Sequence, residues 1–209
     1  MKYSSKKPPF IGGFSLIELI IAISIISIIL SISQFKFNSN NLQQAASKLK
    51  LYLNYTRYIA HIDNKFDINN NEWQKKLWTL KFQNCSSSIG GLYFVVYSDK
   101  SGGISHFKKT ECLKDPLTNK YLYSNWDCEA SKDESKYILL TKEYGVTKVD
   151  VSCKSNSSIG QISFGYDGNI YSNLGNYPTK ITKRCVITLF DKDDNSIELK
   201  IEPNTGYVY

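Results

Sequence analysis

Six consecutive residues, Gly13-Phe14-Ser15-Leu16-Ile17-Glu18, carry the most pointed chemistry in this 209-residue chain. A basic patch of Lys2, Lys6 and Lys7 precedes them and ends in Gly12-Gly13. An apolar run follows as far as Ser33, and Glu18 is its only charge. A carboxylate at the centre of a membrane costs about 2.5–3.5 kcal/mol on insertion scales, so a lone acid there is a functional residue by default. The segment reads as a processing leader, a cleavage point and a membrane helix with an acid placed for a partner. A secretory signal would put its apolar core before a small-residue cleavage site. Here the glycine lies on the other side of the run, so the run should stay on the mature protein.

Other reactive side chains have plainer readings. His61 and Asp63 could act as an acid–base pair, but no nucleophile is near in sequence, and a capping or surface role is expected. His106 stands alone in a polar stretch. Asp191, Asp193, Asp194 and Asn195 have oxygen ligands at a spacing that suits calcium. The glycine and distal glutamate of a calcium loop are missing, and a hairpin turn explains the run better. Asp127, Glu129, Asp133 and Glu134 form an acidic stretch, read as a solvated loop. Lys48, Lys50, Arg57 and Lys65 read as a solvated basic face that could meet phosphate or an acidic partner. No catalytic residue, metal or cofactor is expected.

These residues need particular elements to hold them. Phe14 to Ser33 is about 20 residues, or about 30 Å as a helix, which suffices to span a bilayer core. The lysines before it favour a cytoplasmic N-terminus, which puts the rest of the chain outside the cytoplasm. Ser24, Ser27, Ser31 and Ser33 offer small, hydrogen-bonding positions for helix packing. Asn and Ser cluster around Asn38-Ser39-Asn40-Asn41, a point where the helix should loosen. Periodicity then resumes, with Leu42, Ala45, Ala46, Leu49, Leu53, Thr56 and Ala60 on one face. That helix should end between His61 and Asn64.

Strand patterns fill the remainder: Lys76–Phe82, Leu92–Tyr97, Tyr137–Leu140, Val146–Val151, Ile162–Tyr166, Asn169–Tyr171, Cys185–Phe190 and Ser196–Ile201, with Tyr207–Tyr209 as a last edge. Asp167-Gly168 and Asp193-Asp194-Asn195 mark hairpins. Ser98 to Lys136 reads as a long polar loop. The expected fold is α+β, a long N-terminal helix with a transmembrane first half, packed on a C-terminal antiparallel two-sheet β domain. The expected divisions are a cleaved leader over 1–13, a transmembrane helix over 14–33, its amphipathic periplasmic continuation over 34–64 and a globular β-rich periplasmic domain over 65–209.

Composition allows this. The formal charge of +7 falls to +4 once the three leader lysines are removed, a balance too mild to argue for nucleic acid by itself. The 15 tyrosines suit pleated surfaces. Five cysteines, Cys85, Cys112, Cys128, Cys153 and Cys185, all follow the apolar run, where an oxidising compartment permits disulfides. No Cys-x-x-Cys pair occurs and only two histidines are present, which argues against zinc. Sequence alone does not reveal connectivity. The expected pairs are Cys153–Cys185 in the C-terminal sheet and Cys112–Cys128 across the polar loop, with Cys85 left over.

Residues 2–33 resemble the type IV prepilin leader: a basic stretch, Gly13, Phe14, an acid at Glu18 and an uninterrupted apolar helix. The resemblance implies cleavage by a prepilin peptidase between Gly13 and Phe14, N-methylation of the new Phe14 amine, and a role for Glu18 in assembly. Leu42 to Leu49 with Tyr55-Thr56-Arg57-Tyr58-Ile59-Ala60 is similar to the helix of the GspH/FimT minor pseudopilins. Phe164 to Gly168, Cys185 to Leu189, Ile197 to Ile201 and Gly206-Tyr207-Val208 resemble their terminal strands. What this implies is a minor pseudopilin or pilin subunit of a type II secretion or type IV pilus-like machine, in the inner membrane with its head in the periplasm. Its partners would be the peptidase, other pseudopilins and the assembly platform. DNA-binding members carry arginines around the terminal glycine. Here Tyr207 follows Gly206, and Pro203-Asn204-Thr205 brings no cation, so phosphate contact at the tail should be weak. Two alternatives stand beside this reading: a DNA-uptake pseudopilin and a membrane-anchored exported enzyme.

Overall fold

A computed structural model describes residues 15–33, 41–70, 73–99, 107–154, 159–172 and 180–209. It divides into two compact units, residues 1–39 and 40–209. Helix α1 (Leu16–Ser33) belongs to the first. Helix α2 (Asn41–Ile62) belongs to the second, together with all the strands. The expected loosening before Asn41 lies outside the described residues.

The second unit holds two antiparallel sheets. One has β1 (Trp78–Asn84), β2 (Leu92–Tyr97), β4 (Gln161–Phe164) and β5 (Ile170–Tyr171), in the order β2-β1-β4-β5. The other has β3 (Lys148–Val151), β6 (Cys185–Phe190) and β7 (Ser196–Ile201), in the order β3-β6-β7. The 185–190 and 196–201 strands pair through their whole length, from Cys185↔Ile201 to Phe190↔Ser196. The α+β class and the two-sheet antiparallel domain are therefore as the sequence implies.

Helix α2 supplies the centre of the core. Leu42, Ala45, Ala46, Leu49, Leu53, Thr56 and Ala60 are buried as their spacing requires, and Tyr52 joins them. Three alanines on the inner face let the helix backbone approach the sheets. Leu49 and Leu53 are fully enclosed, so truncating either to Ala should cost about 2–5 kcal/mol. Gly206 sits at φ +62, where a Cβ would meet the Phe164 ring at 3.1 Å and the Arg57 stem at 3.3 Å. Only glycine fits both the backbone and the space there. Beyond it Tyr209 and Lys200 exchange two backbone hydrogen bonds of 3.0 Å, which ties the chain end to β7 as an edge.

Three expectations change. Tyr137–Leu140 is no strand: a 3₁₀ turn (Lys136–Ile138) leads into the short helix α3 (Leu140–Tyr144). A short apolar run fits either state, and here burial of Ile138, Leu139 and Leu140 from a helical turn against β2 prevails. The first strand starts two residues late, because Trp73–Lys76 coils into a 3₁₀ turn. The 107–136 segment is no solvated loop. It buries Cys112, Asp115, Leu122, Cys128 and Glu134 and covers the edge of β2. Val96 and Ser98 donate to its Leu122 and Glu111 carbonyls, so all six β2 residues are buried although the strand is last in its sheet.

Cysteine pairing needs a correction too. The Cys153–Cys185 disulfide forms, with its Cα atoms 5.2 Å apart. The expected Cys112–Cys128 bridge does not. Cys128 pairs with Cys85, Cα atoms 5.6 Å apart, and Cys112 is a buried free thiol. The reason is placement. Cys112 is bridged to Tyr97 at the far end of β2, whereas Cys85 ends the β1 side of the hairpin where Cys128 arrives.

Candidate functional site

The described part of the N-terminal motif starts at Ser15, so Gly13 and Phe14 lie outside it. Ser15 caps α1. Its hydroxyl accepts from the Glu18 amide at 3.3 Å, and the Glu18 carboxylate accepts from the Ser15 amide at 2.9 Å. This is a reciprocal capping box, Ser-x-x-Glu, which satisfies two amides that the first helical turn leaves without partners. Glu18 therefore has a structural task at the helix start as well as a charge. Sequence reasoning saw the charge and missed the cap, although Ser15 and Glu18 stand at the spacing that signals one.

Beyond the cap, α1 is apolar on every side. Leu16, Ile17, Leu19, Ile20, Ile21, Ile23, Ile25, Ile26 and Ile28 are all exposed in the isolated chain. A helix of this kind needs lipid or other helices around it. Ser24 and Ser27 donate to the Ile20 and Ile23 carbonyls, each at 2.8 Å, one turn back. Their hydroxyls are thus satisfied within the helix rather than held out to a neighbour. Among the described residues no helix is long and apolar enough to cross a membrane. Helix α1 has 18 described residues, about 27 Å of rise against a core of about 30 Å.

The basic candidates on and after α2 do not form one open surface. Lys48 lies 4.5 Å over the Tyr137 ring. The Arg57 guanidinium donates to the Thr205 carbonyl. Lys65 pairs with Asp63 at 2.6 Å and lies 5.6 Å from the Trp78 ring. Lys50 shares a face with Arg57, seven residues on, while Lys48 lies about 200° from Lys50 around the helix. Three of the four cations thus hold the chain's own groups.

His61 and Asp63 part company. His61 Nδ1 lies 2.8 Å from the Tyr166 carbonyl and donates to it, whereas Asp63 accepts from the Trp78 indole at 2.8 Å. His106 lies outside the described residues. The Asp191 carboxylate accepts from the Asp193 and Asn195 amides and the Asn195 side chain, which closes the hairpin between β6 and β7. No metal-holding group of His, Cys, Asp or Glu occurs among the described residues.

One buried polar centre lies within the stretch that the sequence reads as a polar loop. Asp115 is buried, and its carboxylate accepts from the Tyr52, Thr118 and Ser135 hydroxyls and the Leu117 amide at 2.9–3.1 Å. Burial pushes its pKa up, but the four hydrogen bonds together outweigh it and hold the carboxyl below its ordinary range. Burial, with Asp115 beside it, pushes the Tyr52 hydroxyl far up, so it stays a donor. This centre fastens the 107–136 segment to α2. Asp115, Tyr52 and Ser135 are all but fully enclosed there, and their polar groups are spent on one another.

Residues 11–33 match the family described as the prokaryotic N-terminal methylation motif. Neither a curated protein nor a solved structure matches the chain. The matched stretch holds Gly13, Phe14, Ser15 and Glu18 and runs to the end of α1. The chain thus carries a prepilin-like N-terminal motif, that of a type IV pilin- or pseudopilin-like subunit anchored in the cell envelope.

Proposed function

We propose that this chain is a minor pseudopilin or pilin subunit of the GspH/FimT kind, serving a type II secretion or type IV pilus-like machine. The observation that carries the reading is the match over residues 11–33, with Glu18 as the single charge on a helix apolar all round. A prepilin peptidase cuts after Gly13, and the Phe14 amine is methylated. The apolar helix holds the subunit in the inner membrane with its head in the periplasm, and packs among the helices of other subunits. The protein is a peptidase substrate, not an enzyme, and its work is assembly. A second exposed apolar stripe on α2, of Leu51, Tyr58 and Ile62, opposes the buried face and supports a packing role.

Co-expression with a prepilin peptidase tests this. The mature protein should begin at Phe14 and carry one added methyl group. Gly13→Leu should remain full-length in the inner membrane. A mature chain starting elsewhere would refute the reading.

A further inference from the structure

A cleft of about 540 Å³ opens beside the Cys85–Cys128 disulfide. The loop after β1 forms one side through Ile89 and Gly90, and the first turn of α3 forms another through Thr141 and Lys142. Leu92 and Leu139, 8% and 1% exposed, give it an apolar lining. Asp127 and Glu129 stand at its mouth, both exposed. Its size is that of an ordinary ligand or side-chain pocket.

The cleft is held rigidly. The disulfide joins the 85–91 loop to the 126–129 loop, and the Ser86 amide donates to the Trp126 carbonyl at 2.7 Å. Thr141 Oγ1 accepts from the Leu92 amide at 2.9 Å and donates to the Val146 carbonyl, which locks α3 to the start of β2. Gly91, at φ +102, lets Thr141 come this close, since a Cβ there would lie 3.1 Å from it. Yet the two joined loops leave their large apolar side chains in solvent, Ile89 58% and Trp126 72% exposed. Isolated exposed hydrophobics are ordinary. Two of them on loops clamped together beside one apolar cleft make a preorganised contact, and tryptophan is among the residues that dominate binding surfaces. The charge is distinctive as well. On a chain of +7, this mouth carries two carboxylates, and among the described residues only Glu129 has a cation on it, the exposed Lys142 at 3.0 Å.

We propose that this cleft docks an extended segment of a partner protein in which an aliphatic side chain is followed by lysine or arginine. The aliphatic side chain fills the lining of Leu92, Leu139 and the disulfide. Trp126 and Ile89 close over it and exclude water. The cation meets Asp127 and Glu129, releasing Lys142. Trp126 sets the affinity, and the two acids set the charge preference and the association rate. This goes beyond the assembly role and uses none of the N-terminal motif.

The test uses the full chain in lipid nanodiscs, labelled with 5-fluorotryptophan so that ¹⁹F NMR reports Trp126, assigned through Trp126→Phe. The probes are acetyl-Leu-Arg-Leu-Arg-amide, acetyl-Leu-Glu-Leu-Glu-amide and cellobiose. The basic peptide should shift the Trp126 resonance saturably, and the acidic peptide should not. Trp126→Ala, followed by calorimetry, should weaken binding about tenfold or more. Asp127→Asn with Glu129→Gln should weaken it and flatten its salt dependence. These side chains are exposed, so the variants should fold, as intact disulfides would verify. No response to the basic peptide, or an equal response to the acidic one, would overturn the proposal. A Trp126 shift with cellobiose alone would also overturn it and mark a sugar site. Any of these failures leaves the pilin reading untouched, because processing at Gly13 is measured separately.

Discussion

Ser15 and Glu18 cap each other: each backbone amide donates to the other's side chain, at 2.9 and 3.3 Å. Glu18 thus serves the helix start and also holds the one negative charge of α1. Cleavage after Gly13 would place a positive amine next to Ser15, so the carboxylate could meet its own amine or that of a neighbouring subunit.

Substitutions at Glu18 separate the two roles. Glutamine can complete the capping box, since it still accepts from the Ser15 amide, but it carries no charge. We predict that Glu18→Ala and Glu18→Gln both insert and are both cleaved, yet neither joins a filament. Loss of the cap should cost Glu18→Ala a further ~1 kcal/mol in helix stability. Cysteine cross-linking between adjacent helices is the measurement. Normal cross-linking and function of Glu18→Gln would show that the charge is dispensable and the cap is the whole role.

Non-reducing peptide mapping should find Cys85–Cys128 and Cys153–Cys185, which close loops of 43 and 32 residues. Each should contribute roughly 4 kcal/mol in the chain-entropy account. Cys112 should resist alkylation until the protein unfolds, because burial pushes its thiol far up and keeps it protonated. Rapid labelling of Cys112 in the folded protein would contradict this placement.

The Asp115 centre makes stability depend on pH. Its folded pKa lies below the ordinary carboxylate value, so its contribution is fully present above about pH 4. That contribution is lost as pH falls through the lowered folded value. Thermal unfolding in detergent should therefore show a smaller acid-induced drop for Asp115→Asn than for the wild type. Asp115→Ala should lose about 3 kcal/mol or more, because three hydroxyls and an amide lose their acceptor. Parallel pH profiles for the wild type and Asp115→Asn would rule the linkage out.

Tyr144 offers the opposite case. Its hydroxyl is buried with no hydrogen-bond partner among the described residues. Removing such a group relieves a desolvation cost. Tyr144→Phe should be neutral or stabilising by up to about 1 kcal/mol, whereas Tyr52→Phe should destabilise by about that much. A Tyr144→Phe protein that melts as early as Tyr52→Phe would mean that the hydroxyl has a partner.

DNA binding should be weak. Lys48, Arg57 and Lys65 are engaged within the chain, and the 203–207 tail has no cation. We expect non-specific binding at ~10⁻⁴ to 10⁻⁶ M at physiological salt, reduced further by charge reversal at Lys48, Lys50, Arg57 and Lys65. Tight binding that survives all four reversals would favour a DNA receptor with a surface elsewhere.

Sequence by itself determined whatever depends on neighbouring residues. The Gly13-to-Glu18 motif is a contiguous code, and residues 11–33 match it. The buried face of α2 follows from helical period, because side chains three and four apart share one side. The 185–190 and 196–201 hairpin follows from alternation around a turn. Tertiary structure decided what depends on distant segments meeting. Cys85 and Cys128, 43 residues apart, pair because a disulfide forms only where backbones approach within several ångströms, and no local pattern encodes that approach. The expected Tyr137–Leu140 strand became a 3₁₀ turn leading into α3 because packing on β2 outweighs a weak strand preference. Nothing local marks Asp115 as a buried acceptor, since Tyr52, its hydroxyl donor from α2, is 63 positions away. The cleft beside the Cys85–Cys128 disulfide needs two loops and a helix brought together, and that geometry exists only once the chain has closed on itself.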